Sequence, residues 1–276
     1  MVGGSNPLTP TFTQLQKNPS LLTKFLSSRR EGISTRTIEF YQDCLTPFVK
    51  HYSITSEGVN SFLANLTCGN AKLNYYRAIT VFVHWLLRTG YVKDNPLAQV
   101  DKPKPAKRIL PSLTSEQVQC LIDTVSDIRD KAIISLLADS GMRLNELTSV
   151  KASDIDWSSY TITIIGKGNK QRKAPFTERS AKLLQVYLGD NHHNGNIWNM
   201  GRYGVQTMLK RLEAKTGIDC NPHSFRRGFA CNLHKRGLST LDIMHLGGWE
   251  GLDMVLKYTR SITFEDCLEH YKSVNS

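Results

Sequence analysis

Several side chains able to act on an anion stand at structural transitions rather than along helix faces. Arg143 follows Ser-Gly-Met at the end of an apolar helical run. Lys167 sits between two glycines in Gly166-Lys-Gly-Asn169, at the tip of a turn. His223 and Arg226 flank a helix start in Asn-Pro-His-Ser-Phe-Arg-Arg227. Turn tips and helix starts are where side chains and backbone N–H groups converge on an anion. Two arginines, a lysine and a histidine suit a phosphodiester whose transition state spreads negative charge over its non-bridging oxygens. Each of them taken alone reads as a solvated surface charge. Tyr258, alone, reads as packed, because it lies in an apolar helical pattern with Met254 and Val255.

These residues need elements to carry them. Thr114-Ser-Glu-Gln117 has capping-box spacing just ahead of an apolar helical run, and a second helix spans about 128–140, ending at Gly141. Tyr160-Thr-Ile-Thr-Ile-Ile165 alternates polar and apolar residues as a strand does; Lys170 to Phe176 can return beside it after the glycine turn. Helical periodicity resumes over 180–188, 204–215, 224–236 and 240–246, and from Leu252 to the end of the chain. The preceding part reads as helices only: 12–28, a helix capped by Ser34 that carries Ile38, Tyr41, Leu45 and Phe48, then 59–66 and 71–88, the last stopping at Gly90. Between the two parts lies Asp101-Lys-Pro-Lys-Pro-Ala-Lys-Arg108 with Pro111 beyond, whose prolines forbid a continuous helix and keep the chain extended. This gives residues 1–100 as a helical domain, 101–113 as a basic linker and 114–276 as a mainly helical domain with one small antiparallel element.

At 276 residues and 40% hydrophobic, the chain has the size of about two domains and an ordinary globular composition. Disorder throughout, a collagen-like repeat and a small disulfide scaffold are excluded. The six cysteines (Cys44, Cys68, Cys120, Cys220, Cys231, Cys267) are scattered without a CxxC pair and read as reduced, mostly packed thiols. The surplus of 35 Lys and Arg over 24 Asp and Glu, a formal +11, favours a polyanionic partner. The longest apolar runs, Ala78 to Leu87 and Ala132 to Ala138, are far short of the ~20 residues of a spanning helix, and Met1 to Pro10 lacks a secretory pattern. The expected setting is the cytosol beside nucleic acid (the nucleoid, in a prokaryote), with no membrane partner. His192-His193 lies in turn chemistry and reads as a solvated loop, His245 as a helix-face residue, Gly166-x-Gly168 as a turn, and Tyr75, Tyr76 and Trp85 as core.

Taken in order, the residues resemble the tyrosine recombinase (phage integrase) family, as a simple, Xer-like two-domain member. Ser140-Gly-Met-Arg-Leu-Asn-Glu-Leu147 is similar to the family's first-arginine box, which makes Arg143 a clamp arginine and Glu146 its acidic neighbour. Ile165-Gly-Lys-Gly-Asn-Lys-Gln-Arg172 resembles the hairpin of the catalytic lysine, Lys167, with Lys170 as the nearby competitor. Pro222-His-Ser-Phe-Arg-Arg-Gly-Phe-Ala230 resembles the H-x-x-R helix start and assigns His223 and Arg226, leaving Arg227 an adjacent basic residue. Leu246-Gly-Gly-Trp-Glu250 puts Trp249 at the family's His-or-Trp position, and Val-Leu-Lys-Tyr-Thr-Arg260 puts Tyr258 at its nucleophile. Each short motif is weak alone; six matched residues in family order are specific.

The resemblance implies an all-α, SAM-like core-binding domain followed by an α+β catalytic domain, the pair closing as a C-shaped clamp on duplex DNA. It implies site-specific recombination through a 3′-phosphotyrosyl intermediate, with no metal or other cofactor, by a dimer at each site and a tetramer in the synapse. Arg29, Arg30, Arg36, Lys72, Arg77, Lys102, Lys104, Lys107, Arg108, Lys170, Arg172 and Arg227 are the candidate DNA contacts. The final helix, Ile262 to Tyr271, presents Phe264, Cys267, Leu268 and Tyr271 and is expected to pack on its own domain or dock on a neighbour. Integration or excision and dimer resolution both stay open as uses. A regulator that binds without cleaving, disfavoured by the intact set of six, and a type IB topoisomerase, disfavoured by the two-domain length, are the competing readings.

Overall fold

The computed structural model describes residues 19–104, 110, 112–166, 171–189 and 195–274. Its backbone divides into two units, Met1–Arg108 and Ile109–Ser276.

The regular elements described in the first unit are all helices: α1 (Pro19–Arg29), α2 (Thr35–His51), α3 (Ser56–Ala64) and α4 (Gly69–Arg88). Ser34 caps α2 by accepting from the Thr37 N–H, so the helix starts where its apolar stripe begins. That stripe buries Cys44, Leu45, Phe48 and Val49. Phe25, Phe82 and Trp85 lock α1 to α4, with ring centroids 5.2 Å (Phe25–Phe82) and 5.6 Å (Phe25–Trp85) apart in edge-on contact. Trp85 is therefore core, and Tyr75 and Tyr76 pack against the same cluster.

The second unit is helical around one three-stranded antiparallel sheet. It opens with α5 (Ser115–Thr124), α6 (Ile128–Ser140) and the short α7 (Leu144–Ser149). Thr114 and Gln117 form the reciprocal capping box that the sequence implied for α5. The strands β1 (Ile155–Asp156), β2 (Thr161–Ile165) and β3 (Gln171–Pro175) lie in sequence order. β1 was not legible beforehand: two residues carry no alternation to read. In the β2–β3 pairing, Ile162 faces Ala174 and Ile164 faces Arg172. Five of the helices that follow are α8 (Glu178–Leu188), α9 (Arg202–Thr216), α10 (Pro222–Lys235), α11 (Thr240–Gly247) and α12 (Leu252–Tyr258).

The single helix expected from Leu252 onward is instead α12, a 3-10 turn at Thr259–Ser261, and α13 (Phe264–Val274). Thr263 and Asp266 explain the break, because each accepts from the other's backbone N–H and so starts a new helix. Trp198, fully buried, stacks on Tyr187 at 5.6 Å and donates its indole N–H to the Leu147 carbonyl at 2.7 Å. That contact fixes α7, which carries one part of the site.

Candidate active site

The site is assembled from the ends of helices. Gly141 terminates α6 in the left-handed conformation at φ +56°, and a Cβ there would come within 2.5 Å of the Phe229 ring. The chain then turns and presents Arg143 at the N-terminus of α7. The Arg143 backbone N–H donates to Glu146 Oε2 and its Nη1 donates to Glu146 Oε1, both at 2.8 Å. The Arg143 side chain stays 47% exposed while that of Glu146 is 4% exposed. Burial pushes the Glu146 carboxyl upward, but the Arg143 N–H, the charge of Arg172 and both guanidinium hydrogen bonds outweigh it and leave it below the ordinary range.

α10 starts with Pro222 at its first position and Asn221 as cap; the Asn221 side chain accepts from the N–H groups of His223 and Ser224. His223 and Arg226, three residues apart, share a face of the first turns. Arg226 is buried, 3% exposed. Its Nη1 donates to the Gly141 carbonyl, its Nη2 donates to the Gly247 carbonyl at 2.9 Å, and its guanidinium lies 4.2 Å from the Trp249 ring centroid. Burial first, and then Arg143 and Arg172, lower its pKa to about 10, while Glu146 and Tyr258 act in the opposite direction. It remains a cation at neutral pH, held by carbonyls and a π face. His223, at the surface, is shifted below the usual histidine value by partial desolvation and by Arg227 and Arg226. The neutral imidazole is therefore the form present at pH 7.

α11 ends at Gly248, whose left-handed φ of +62° turns the chain so that the Trp249 N–H donates back to the Met244 carbonyl. Trp249 is 5% exposed, and its indole N–H is buried with no partner among the described residues. Tyr258, the last residue of α12, is half-buried with its ring 5.5 Å from that of Trp249. Arg143, Glu146, Arg226, Trp249 and Tyr258 thus form one neighbourhood, with His223 at its rim. Lys167 and Lys170 lie outside the described residues, as do Lys107, Arg108 and the His192-His193 pair.

Two candidate DNA contacts are placed differently from the expectation of a solvated basic surface. Arg172 has a side chain only 16% exposed, paired to Glu146 at 2.9 Å, because it shares the inward face of β3 with Ala174. Arg227 is 7% exposed in α10. The signal for Arg172 was present in the sequence: an arginine two residues from Ala174 in an alternating strand points to the core side and must meet a counter-charge. The remaining candidates lie nearer the surface. Arg30, Arg77, Lys102 and Lys104 are exposed, Lys72 is half-buried, Arg36 pairs with Glu39 at 3.0 Å, and Arg29 rests over the Phe25 ring. His245 is exposed on α11. Among the described residues there is no cluster of three or more His, Cys, Asp or Glu able to hold a metal ion, and no helix long and apolar enough to cross a membrane.

A buried guanidinium, an indole N–H with no partner among the described residues and a phenol lie side by side, groups whose chemistry suits an oxyanion beside a hydroxyl. Residues 111–263 match the phage integrase family, and the chain belongs to that family. It is 28% identical to the tyrosine recombinase XerD of Halalkalibacterium halodurans over 277 residues, covering 86% of this chain and 92% of that one. It is 33% identical to the tyrosine recombinase XerC of Bacillus pumilus over 207 residues, covering 66% and 67% respectively. The fold is also that of the Tn1549 transposon integrase in complex with circular intermediate DNA (TM-score 0.74, 16% identity, 91% of this chain and 98% of that one). It is likewise shared with the XerH site-specific recombinase bound to a palindromic difH substrate (TM-score 0.70, 19% identity, 94% and 84%).

Proposed function

We propose that the protein is a site-specific DNA recombinase that cleaves, exchanges and rejoins strands of duplex DNA through a covalent link to Tyr258. The observation that carries this reading is the buried Arg226 cation, held by two carbonyls and the Trp249 ring, beside an indole N–H with no partner among the described residues. A buried charge without an ion pair costs several kcal/mol, and so does a buried donor left unmade, to a lesser degree. One phosphate oxyanion satisfies both. Its recognition by a buried fork and an oriented donor is the arrangement that stabilises charge developing in a transition state.

In this mechanism the Tyr258 hydroxyl attacks the scissile phosphorus and forms a 3′-phosphotyrosyl bond as the 5′-oxygen leaves. His223, kept neutral, takes the phenolic proton. Arg143 and Arg226 hold the non-bridging oxygens, Trp249 donates its N–H, and Lys167 gives a proton to the departing 5′-oxygen. Because the bond to tyrosine stores the phosphodiester energy, a 5′-hydroxyl from another strand reverses the step without ATP. Residues 114–276 supply this chemistry. Residues 1–100 act as a helical core-binding domain, and the 101–113 segment is a basic linker on the same DNA. Sequence relatives named tyrosine recombinase, and structural relatives described as DNA complexes, support the same reading.

The active form is an oligomer on DNA, a dimer at each site and a tetramer in the synapse. What supports this is α13, an amphipathic helix whose apolar residues are outward: Phe264 is 74%, Leu268 36%, Tyr271 66% and Val274 70% exposed. The protein works in the cytoplasm, where its DNA is.

The test starts from duplex sites selected by the full-length protein out of a random pool. A selected duplex, nicked beside the cleavage position, should trap a covalent adduct, and Tyr258→Phe should abolish the adduct while retaining binding. Binding with no adduct would make the protein a non-cleaving regulator. Relaxation of any supercoiled plasmid without site preference would make it a topoisomerase.

A further inference from the structure

Arg172 lies on β3, one hairpin away from the family's first-arginine box, yet its guanidinium reaches the centre of the site. Nη2 donates to Glu146 Oε2 at 2.9 Å, and Nη1 donates to the Leu246 carbonyl at 3.3 Å. Its stem fills the space beside Gly248 so closely that a Cβ there would meet Arg172 Cδ at 2.4 Å. Glu146 therefore stands between two arginines: one oxygen takes the Arg143 guanidinium, the other takes Arg172 and the Arg143 N–H. Side-chain exposure runs from 16% at Arg172 through 4% at Glu146 to 47% at Arg143. The inner members are fixed, and only the outermost cation is open to a ligand.

We infer that Arg172 is a positioning residue for Arg143: by occupying half of the Glu146 carboxylate it fixes the direction of the Arg143 guanidinium and keeps that carboxylate from neutralising it. With Arg172 gone, Glu146 Oε2 keeps only the Arg143 N–H, and the carboxylate loses the cation that shares its charge, so it draws the Arg143 guanidinium toward the fork geometry that carboxylates favour with arginine. The cation would then be drawn away from the phosphate. Arg172 also touches the backbone between Leu246 and Trp249, so the same side chain braces the turn whose Gly247 carbonyl holds Arg226.

This rests on the reading of Arg143 as a phosphate clamp, and the test separates the two. Single-turnover cleavage by the full chain is measured on a nicked duplex with an ordinary scissile phosphate and on one with a neutral methylphosphonate there. The neutral linkage lacks the charge that the clamp must stabilise. Arg172→Gln should cleave the ordinary substrate about 100-fold more slowly, the cost of one misplaced oxyanion donor, with DNA affinity close to wild type. It also melts lower because buried Glu146 loses a partner, so the comparison of the two substrates, not the melting temperature, reads the positioning. On the methylphosphonate most of that deficit should vanish, as it should for Arg143→Ala. Arg172→Lys keeps the charge but not the fork, so it folds with Glu146 paired and should fall between. Wild-type cleavage by Arg172→Gln, or a deficit equal on both substrates, overturns the inference. Normal cleavage by Arg143→Ala would instead overturn the clamp reading beneath it.

Discussion

Replacing Trp249 with phenylalanine separates the two things its side chain does. Its ring packs 4.2 Å from the Arg226 guanidinium, 5.5 Å from the Tyr258 ring and 6.3 Å from that of Phe229, all contacts that a phenyl group largely keeps. Its N–H has no partner among the described residues. Losing the extra ring atoms costs roughly 1–2 kcal/mol of packing. Removing a buried unsatisfied donor returns about 1–3 kcal/mol. The two nearly cancel, so Trp249→Phe should melt within a few degrees of wild type. In the proposed mechanism the N–H matters only when a phosphate oxygen arrives, and a hydrogen bond to a charged acceptor contributes about 1.5–3 kcal/mol. If that bond is made chiefly in the transition state, single-turnover cleavage of the nicked duplex should fall roughly 10- to 150-fold, with DNA affinity little changed. Trp249→His, which retains a donor on a smaller ring, should recover part of the rate. Cleavage at the wild-type rate by Trp249→Phe, or a large loss of stability with no loss of rate, would refute the assignment of the indole N–H to the phosphate.

Other expectations follow from the same geometry. The cleavage rate should fall on the acid side with a midpoint below the ordinary histidine value of 6.5, because desolvation, Arg227 and Arg226 disfavour the imidazolium of His223. A pH–rate profile with its acid midpoint above 7 contradicts this, and His223→Gln should flatten the limb. The Glu146 carboxyl titrates below its unfolded value of 4.5, so its contribution to stability is complete above that pH and is lost as the pH falls through the folded value. Melting curves of wild type and Glu146→Gln should accordingly run parallel near neutrality and converge in acid. Gly141→Ala places a Cβ against Phe229 at a left-handed position, costing about 1–2 kcal/mol in backbone strain and 1–3 in overpacking, so its melting temperature should drop by several degrees. Phe264→Asp alters a side chain that is 74% exposed; thermal stability should hold while higher-order complexes on DNA disappear from a gel-shift ladder.

Most of the architecture was legible because local signals agreed with packing. Ser34 and Thr114 cap the helices they were expected to cap, and Gly141 ends α6 as its place after an apolar run implied. The strand alternation of 161–165 survives as the central strand of the sheet. What failed was of two kinds. Two-residue β1 has no periodicity, and the break after Tyr258 depends on the Thr263–Asp266 cap, whose polar residues also suit a helix surface. Around the site, residue type identified the groups but not their depth. Arginine is ordinarily solvated, so residue type alone gave no hint that Arg226 and Arg227 are withdrawn from water, and for Arg172 the one signal was its alternation with Ala174 in the strand.

That withdrawal is the organising feature of the site. Arg143, Arg172 and Arg226 converge on a single carboxylate, Glu146, whose two oxygens serve Arg143 and Arg172 and touch Arg226 only through the field. Three positive charges against one negative leave a surplus that the protein moderates with carbonyls of Gly141 and Gly247 and with the face of Trp249. Such partial compensation is costly in the free protein, and each carbonyl and ring that lowers the cost also fixes a donor in space. A rigid, under-neutralised array stabilises added negative charge without having to reorganise when it appears. The Tyr258 phenol, the nucleophile of the proposed mechanism, stands at the edge of this array, against the same indole that faces Arg226. Substitutions that relieve the surplus, such as Arg226→Met with its matching volume, should therefore leave the fold intact or stabilise it while abolishing cleavage. A thermal melt beside an adduct assay reads both signs, and a variant that lost stability without losing the adduct would show the surplus to be structural instead.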